Sequence, residues 1–159
     1  YDPGSGNNPA TVIVDANIRV ATESGGIVLD AYQTQAYDWN LVQIGHGGIY
    51  KGTTRSGAYL GDITVDAGTG GVSVLAGRGH ASAAQIGHGG IGISGNHGGA
   101  IHVSGDGDLV MRTQAGGTGD DDRRYARIGH GGVGRRGVGR AVVGGVWRVS
   151  ALAVMVPPA

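Results

Sequence analysis

The sequence predicts an all-β chain, a parallel β-helix or solenoid assembled from 42-residue repeats. Three observations carry that reading: a recurring pentapeptide, short alternating runs of β-branched residues between turn formers, and 35 glycines among 159 residues. The pentapeptide Ile-Gly-His-Gly-Gly occurs at Ile44–Gly48, Ile86–Gly90 and Ile128–Gly132, with the same interval both times. Five identical residues returning twice at one interval are not a by-product of glycine abundance. A fixed period of this size marks a repeat architecture.

The remaining elements follow in order around each anchor. Upstream stands an Ile-x-Val triplet, at Ile18–Val20, Ile63–Val65 and Ile101–Val103. A second apolar run comes shortly after it, at Ile27–Leu29, Val72–Leu75 and Leu109–Met111. Turn formers lie between the two, Glu23–Gly26, Ala67–Gly71 and Gly105–Asp108, and Ile91-Gly92-Ile93 adds a short alternation after the second anchor. Alternating β-branched residues bounded by Gly and Asp read as strands, and no window carries a helical stripe. The interval from triplet to anchor (Ile18 to Ile44, Ile63 to Ile86, Ile101 to Ile128) differs in every repeat. The stretches Gln33–Asn40, Gly77–Ala83 and Gln114–Tyr125 are therefore expected to be loops of changing length. Three or four short strands per repeat suggest two coils of about 20 residues each, every coil covering the apolar face of the next. Glycine suits the tight corners, where φ is positive. Propeller-like blades are the alternative, since one blade is also about 40–45 residues, but three copies do not close a ring.

Residues 1–132 form the expected solenoid, with repeats at about 7–48, 49–90 and 91–132. Residues 133–159 lack the anchor, and 123–159 contain no acid. This basic and apolar tail is read as a cap or as sequence foreign to the repeat. Tyr1 is not an initiator, so the chain is expected to be a segment of something longer.

Composition closes several routes. There is no cysteine, which removes a disulfide framework, a thiolate metal site and a Cys nucleophile. Net charge is zero, with no basic face interleaved with aromatics, so nucleic acid is not an expected partner. The apolar stretch Ala141–Pro158 is interrupted by Arg148 and is too short to span a bilayer.

The run Gly61-Asp62-Ile63-Thr64-Val65-Asp66-Ala67-Gly68-Thr69-Gly70-Gly71-Val72-Ser73-Val74-Leu75-Ala76-Gly77 resembles the repeat region of filamentous-haemagglutinin-type bacterial exoproteins. The Ala-x-Ile-Gly-His-Gly-Gly anchor is similar to units in large bacterial surface proteins of that kind. The resemblance covers residues 10–132. It implies a right-handed parallel β-helix, export to the cell surface, and an adhesive or stalk role with no catalytic residue. Glycans or surface proteins are the partners this implies. Self-association through open solenoid ends follows separately from unpaired strand edges.

Few residues could carry chemistry. His46, His88 and His130 occupy one position in each repeat and are read as structural, each ring bonding backbone at the Gly-His-Gly-Gly turn. With two coils per repeat they would stand about 9–10 Å apart, too far to share an ion. Asp106, Asp108, Asp120, Asp121 and Asp122 form the densest gathering of carboxylates in the chain. Gly116–Asp121 also matches the start of a calcium-binding Gly-Gly-x-Gly-x-Asp repeat, so Ca²⁺ is the one cofactor these residues suggest. A Ca²⁺-assisted hydrolase or lyase acting on glycans or small extracellular molecules is the alternative function, with His102, Asp106, Asp108 and Arg112 as its candidate patch. Gly87-x-Gly89-x-x-Gly92 matches a dinucleotide fingerprint only formally, because no helix pattern follows it.

Overall fold

The computed structural model describes residues 12–31, 39–49, 55–113 and 124–131. Fourteen strands and no helix occur among them. The first coil contains β1 (Val12–Asp15), β2 (Ile18–Ala21), β3 (Ile27–Asp30), β4 (Leu41–Ile44) and β5 (Gly47–Ile49). The second contains β6 (Arg55–Leu60), β7 (Ile63–Asp66), β8 (Val72–Ala76), β9 (Ala83–Ile86) and β10 (Gly89–Ile91). The third adds β11 (Ile93–His97), β12 (Ile101–Ser104), β13 (Leu109–Thr113) and β14 (Tyr125–Ile128). Every strand pairs in parallel with its counterpart one coil away, giving sheets β1-β6-β11, β2-β7-β12, β3-β8-β13, β4-β9-β14 and β5-β10. The fold is a parallel β-helix. Propeller blades are ruled out, because a blade pairs strands within one repeat and here pairing runs between repeats.

Each repeat is one coil, which corrects the expectation of two. Ile44 opposes Ile86 and Ile86 opposes Ile128, so anchors one period apart are direct strand neighbours. Two of the strands in a coil are hidden from pattern reading. β5 and β10 begin with the anchor glycines, a residue depleted in strands. The first sheet joins Val-Ile-Val-Asp, Arg-Ser-Gly-Ala-Tyr-Leu and Ile-Ser-Gly-Asn-His, of which only the last two share a Ser-Gly pair.

The register records where coils change length. Val72 opposes Ile27 and Ala83 opposes Leu41, so the first two coils are offset further along the chain at the third sheet than at the fourth. Leu109 opposes Val72 and Tyr125 opposes Ala83, which reverses that order for the next pair of coils. The difference is absorbed between the third and fourth strands of each coil, where the variable loops are expected. The spacing from the fifth strand to the next coil changes as well: β6 begins at Arg55 after β5 ends at Ile49, whereas Gly92 alone separates β10 from β11.

Alternation puts β-branched side chains inside. Along β7, Ile63 and Val65 are fully buried while Thr64 and Asp66 are partly exposed on the opposite face. Stiff χ1 angles suit such half-buried pleats. Ile63, Val65, Val72, Val74, Ala84 and Ile86 anchor a core bounded by the second, third and fourth sheets. In the fourth sheet β9 is buried on both sides. The other face of that sheet, with Ala83 and Tyr125, packs against Ile91 and Ala81, joined by Trp39, Leu41 and Ile49. The fifth strand thus folds back over the fourth sheet.

No helix among the described residues is long and apolar enough to cross a membrane. The tail from residue 132 onward lies outside the described residues, so its reading as a cap is not addressed by the fold.

Candidate functional site

The corner between the fourth and fifth strands holds the anchor histidines. Glycine is required there by space as much as by dihedral angle. Gly87 has φ +148°, and a Cβ on it would collide with the Gly129 carbonyl of the next coil. Coils approach so closely at this corner that only backbone fits between them.

The three histidines stack directly. Ring centroids of His46 and His88 are 4.9 Å apart with planes 2° apart, and those of His88 and His130 are 4.9 Å apart at 12°. Like rings are therefore next neighbours, at about half the separation expected from two coils per repeat. The backbone N–H of His46 donates to Nδ1 of His88 (3.0 Å), and that of His88 donates to Nδ1 of His130 (3.1 Å). Nε2 of His46, His88 and His130 lies 2.8, 2.9 and 3.0 Å from the carbonyls of Ala16, Gly61 and Gly99. A carbonyl can only accept, so each ring carries its proton on Nε2. Ala16, Gly61 and Gly99 sit at the corner after the first strand of each coil. Every histidine therefore ties two corners of its own coil together, and the backbone bonds tie coil to coil. Both nitrogens of His88 and His130 are committed, which leaves no lone pair for a metal in this arrangement.

His88 is fully buried. Burial pushes its pKa below the usual histidine value. The Gly61 carbonyl opposes that shift, and the neighbouring His130, His46 and His97 add to it. Burial, then His130, also lowers His97, whose ring stacks on Tyr59 with centroids 5.6 Å apart and whose Nε2 is buried without a partner.

A second ladder, which sequence reasoning misses, runs beside the histidines. Gln43 and Gln85 are in register on the fourth sheet. Nε2 of Gln43 donates to the carbonyls of Gly87 (2.8 Å) and Gly89 (3.1 Å) in the next coil. Nε2 of Gln85 donates to His88 (3.1 Å), Gly129 (3.2 Å) and Gly131 (3.3 Å). Arg127 takes the same position in the third coil, donating from a terminal nitrogen to the Gly131 carbonyl (3.0 Å) and lying 4.9 Å from the Tyr125 ring centroid. The available signal is a glutamine just upstream of the first two histidines, with arginine before the third. A third device serves the opposite corner: Asn17 Oδ1 accepts the Asp62 N–H (2.7 Å), and Asp62 Oδ1 accepts the Ala100 N–H (2.8 Å).

The acidic candidates are placed differently. His102 points outward from β12, Asp106 and Asp108 are exposed in the turn before β13, and Arg112 is exposed on β13. Among the described residues no three His, Asp or Glu side chains come together in a group able to hold a metal ion. Asp120, Asp121 and Asp122 lie outside the described residues. Beside Asp108 there is a dent of about 20 Å³, lined by Val72, Val103 and Leu109 among others. That is room for about one water molecule.

Comparison with protein-family models, curated proteins and solved structures gives no match. The filamentous-haemagglutinin-type resemblance therefore stands on the residues quoted for it.

Proposed function

We propose that this chain is a structural and adhesive rod segment of a bacterial extracellular surface protein, with no chemistry of its own. The observation that carries this reading is the use made of the buried polar side chains. His88 and Gln85, each fully buried, spend their donors on backbone carbonyls of their own and adjoining coils. Such groups brace a shaft; a catalytic site needs them aimed into a cleft. The surface location and a glycan or surface-protein partner rest on the resemblance of residues 10–132.

The test has two arms. Beads coated with the protein are expected to adhere to glycan-bearing surfaces. Neutral and acidic polysaccharides incubated with the protein and Ca²⁺ are expected to keep their chain length by light scattering. Shortened polymer would overturn the reading in favour of the hydrolase or lyase, and beads that adhere to nothing would remove its adhesive half.

A further inference from the structure

His88 lies in the middle coil, with described coils on both sides, and its Nδ1 accepts a bond that crosses between coils, from the His46 N–H at 3.0 Å. We propose that this column is an acid-sensitive latch: protonation of His88 parts the first two coils at the corner between the fourth and fifth strands and leaves the second and third sheets closed. The latch goes beyond the structural reading above and does not depend on an adhesive role.

The bond fails in acid for a geometric reason. Nε2 of His88 already carries its proton and donates to the Gly61 carbonyl at 2.9 Å, so an added proton goes to Nδ1. There it meets the His46 N–H, donor against donor, and the bond between coils is lost. Rings on both sides stack at 4.9 Å, so charged neighbours repel and the column takes up protons in steps. The surroundings of His88 do not relieve that charge. Burial disfavours it first, against the pull of the Gly61 carbonyl, and His130, His46 and His97, which themselves become cationic in acid, add to the effect. Beside His88, Gln85 of β9 is neutral and Arg127 of β14 is cationic. Tyr59 of β6 stacks on His97, and Asp62, next to Gly61, turns its Oδ1 to the Ala100 N–H.

Acid acts at this corner because the acceptor is a ring nitrogen. Elsewhere the same two coils are joined by backbone acceptors, such as the Asp62 carbonyl for the Ile18 N–H and the Gly71 carbonyl for the Ile27 N–H, which acid does not protonate. The strands carried by the corner are also easily parted. β5 and β10 pair over three residues, of which the first two are glycine in each.

The test is amide hydrogen exchange on the whole chain by nuclear magnetic resonance, each rate normalised to an unstructured amide at the same pH. The Gly87 and Gly89 amides donate to coil one at this corner, to the Ile44 and His46 carbonyls. From about pH 7 to about pH 5, protection at His46, Gly87 and Gly89 is expected to fall about tenfold, the factor for one unit of pKa difference. Ile18 and Ile27 are expected to keep theirs. In His88→Asn the pH dependence at His46 should disappear. Should that variant fail to fold, wild type still decides, because ring nitrogen shifts should show His88 taking a proton on Nδ1 over the range in which His46 loses protection. The latch is overturned if His88 takes its proton with His46 protection unchanged, if His46 loosens while the His88 ring stays neutral, or if Ile18 and Ile27 lose protection equally. None of these outcomes bears on the bead or polysaccharide assays.

Discussion

His88 combines a donated bond to Gly61, an accepted bond from His46, and stacking against rings on both sides. Truncation to alanine removes two hydrogen bonds and leaves the His46 N–H and the Gly61 carbonyl without those partners. His88→Ala should therefore cost about 3 kcal/mol, read as a lowered urea midpoint with unchanged slope. A loss under about 0.5 kcal/mol, the scale of a surface substitution, would show that the ring does not brace the corner. The same residue predicts a pH dependence. Its folded pKa lies below the unfolded value of 6.5, and so does that of His97. The unfolded state then binds more protons in the window between the two values. Stability is complete above about pH 6.5 and is lost as pH falls through the folded values. Thermal melts from neutral into acidic pH should show a decline beginning near about 6.5 that is shallower in His88→Ala. A midpoint that rises on acidification through this range would contradict the assignment of neutral, Nε2-protonated rings.

At the scale of the element, β9 in the middle of the fourth sheet is buried on both faces, and Gln85 is the polar residue within it that serves three carbonyls. Gln85→Leu keeps the volume but leaves the carbonyls of His88, Gly129 and Gly131 without that donor. A loss of about 2 kcal/mol is expected in chemical denaturation, whereas Thr64→Val on the outer face of β7 should be close to neutral. Equal effects at the two positions would mean that the glutamine ladder adds nothing. These elements are unequally legible in the sequence. The strands of the second and third sheets announce themselves through Ile-x-Val and its follower, because one face is wet and the pattern alternates. β9, Ala-Ala-Gln-Ile, shows no alternation because neither face is wet. β5 and β10 are mostly glycine and read as turn. The first sheet repeats only a Ser-Gly pair, and only between its second and third coils. The repeated histidines are visible by spacing, but their partners Ala16, Gly61 and Gly99 are not, since any residue offers a carbonyl.

For the whole molecule, coil length is the central quantity. Counting only the strands that show a pattern leaves part of each circuit out, which turns one coil into two and doubles the distance between like residues. With one coil per repeat, like side chains stack at one strand spacing along the described coils, and every ladder described above depends on it. Spin labels test this directly, because the chain has no native cysteine. Thr64 pairs in register with His102 on one side and with Arg19 on the other. Nitroxides at Thr64→Cys and His102→Cys should lie about one strand spacing apart, about 4.8 Å between backbones, and those at Arg19→Cys and His102→Cys about 9.6 Å. Continuous-wave electron paramagnetic resonance is predicted to show strong spin exchange for the first pair and only dipolar broadening for the second. Absence of spin exchange in the first pair would place a coil between Thr64 and His102, and the account of one coil per repeat would fail.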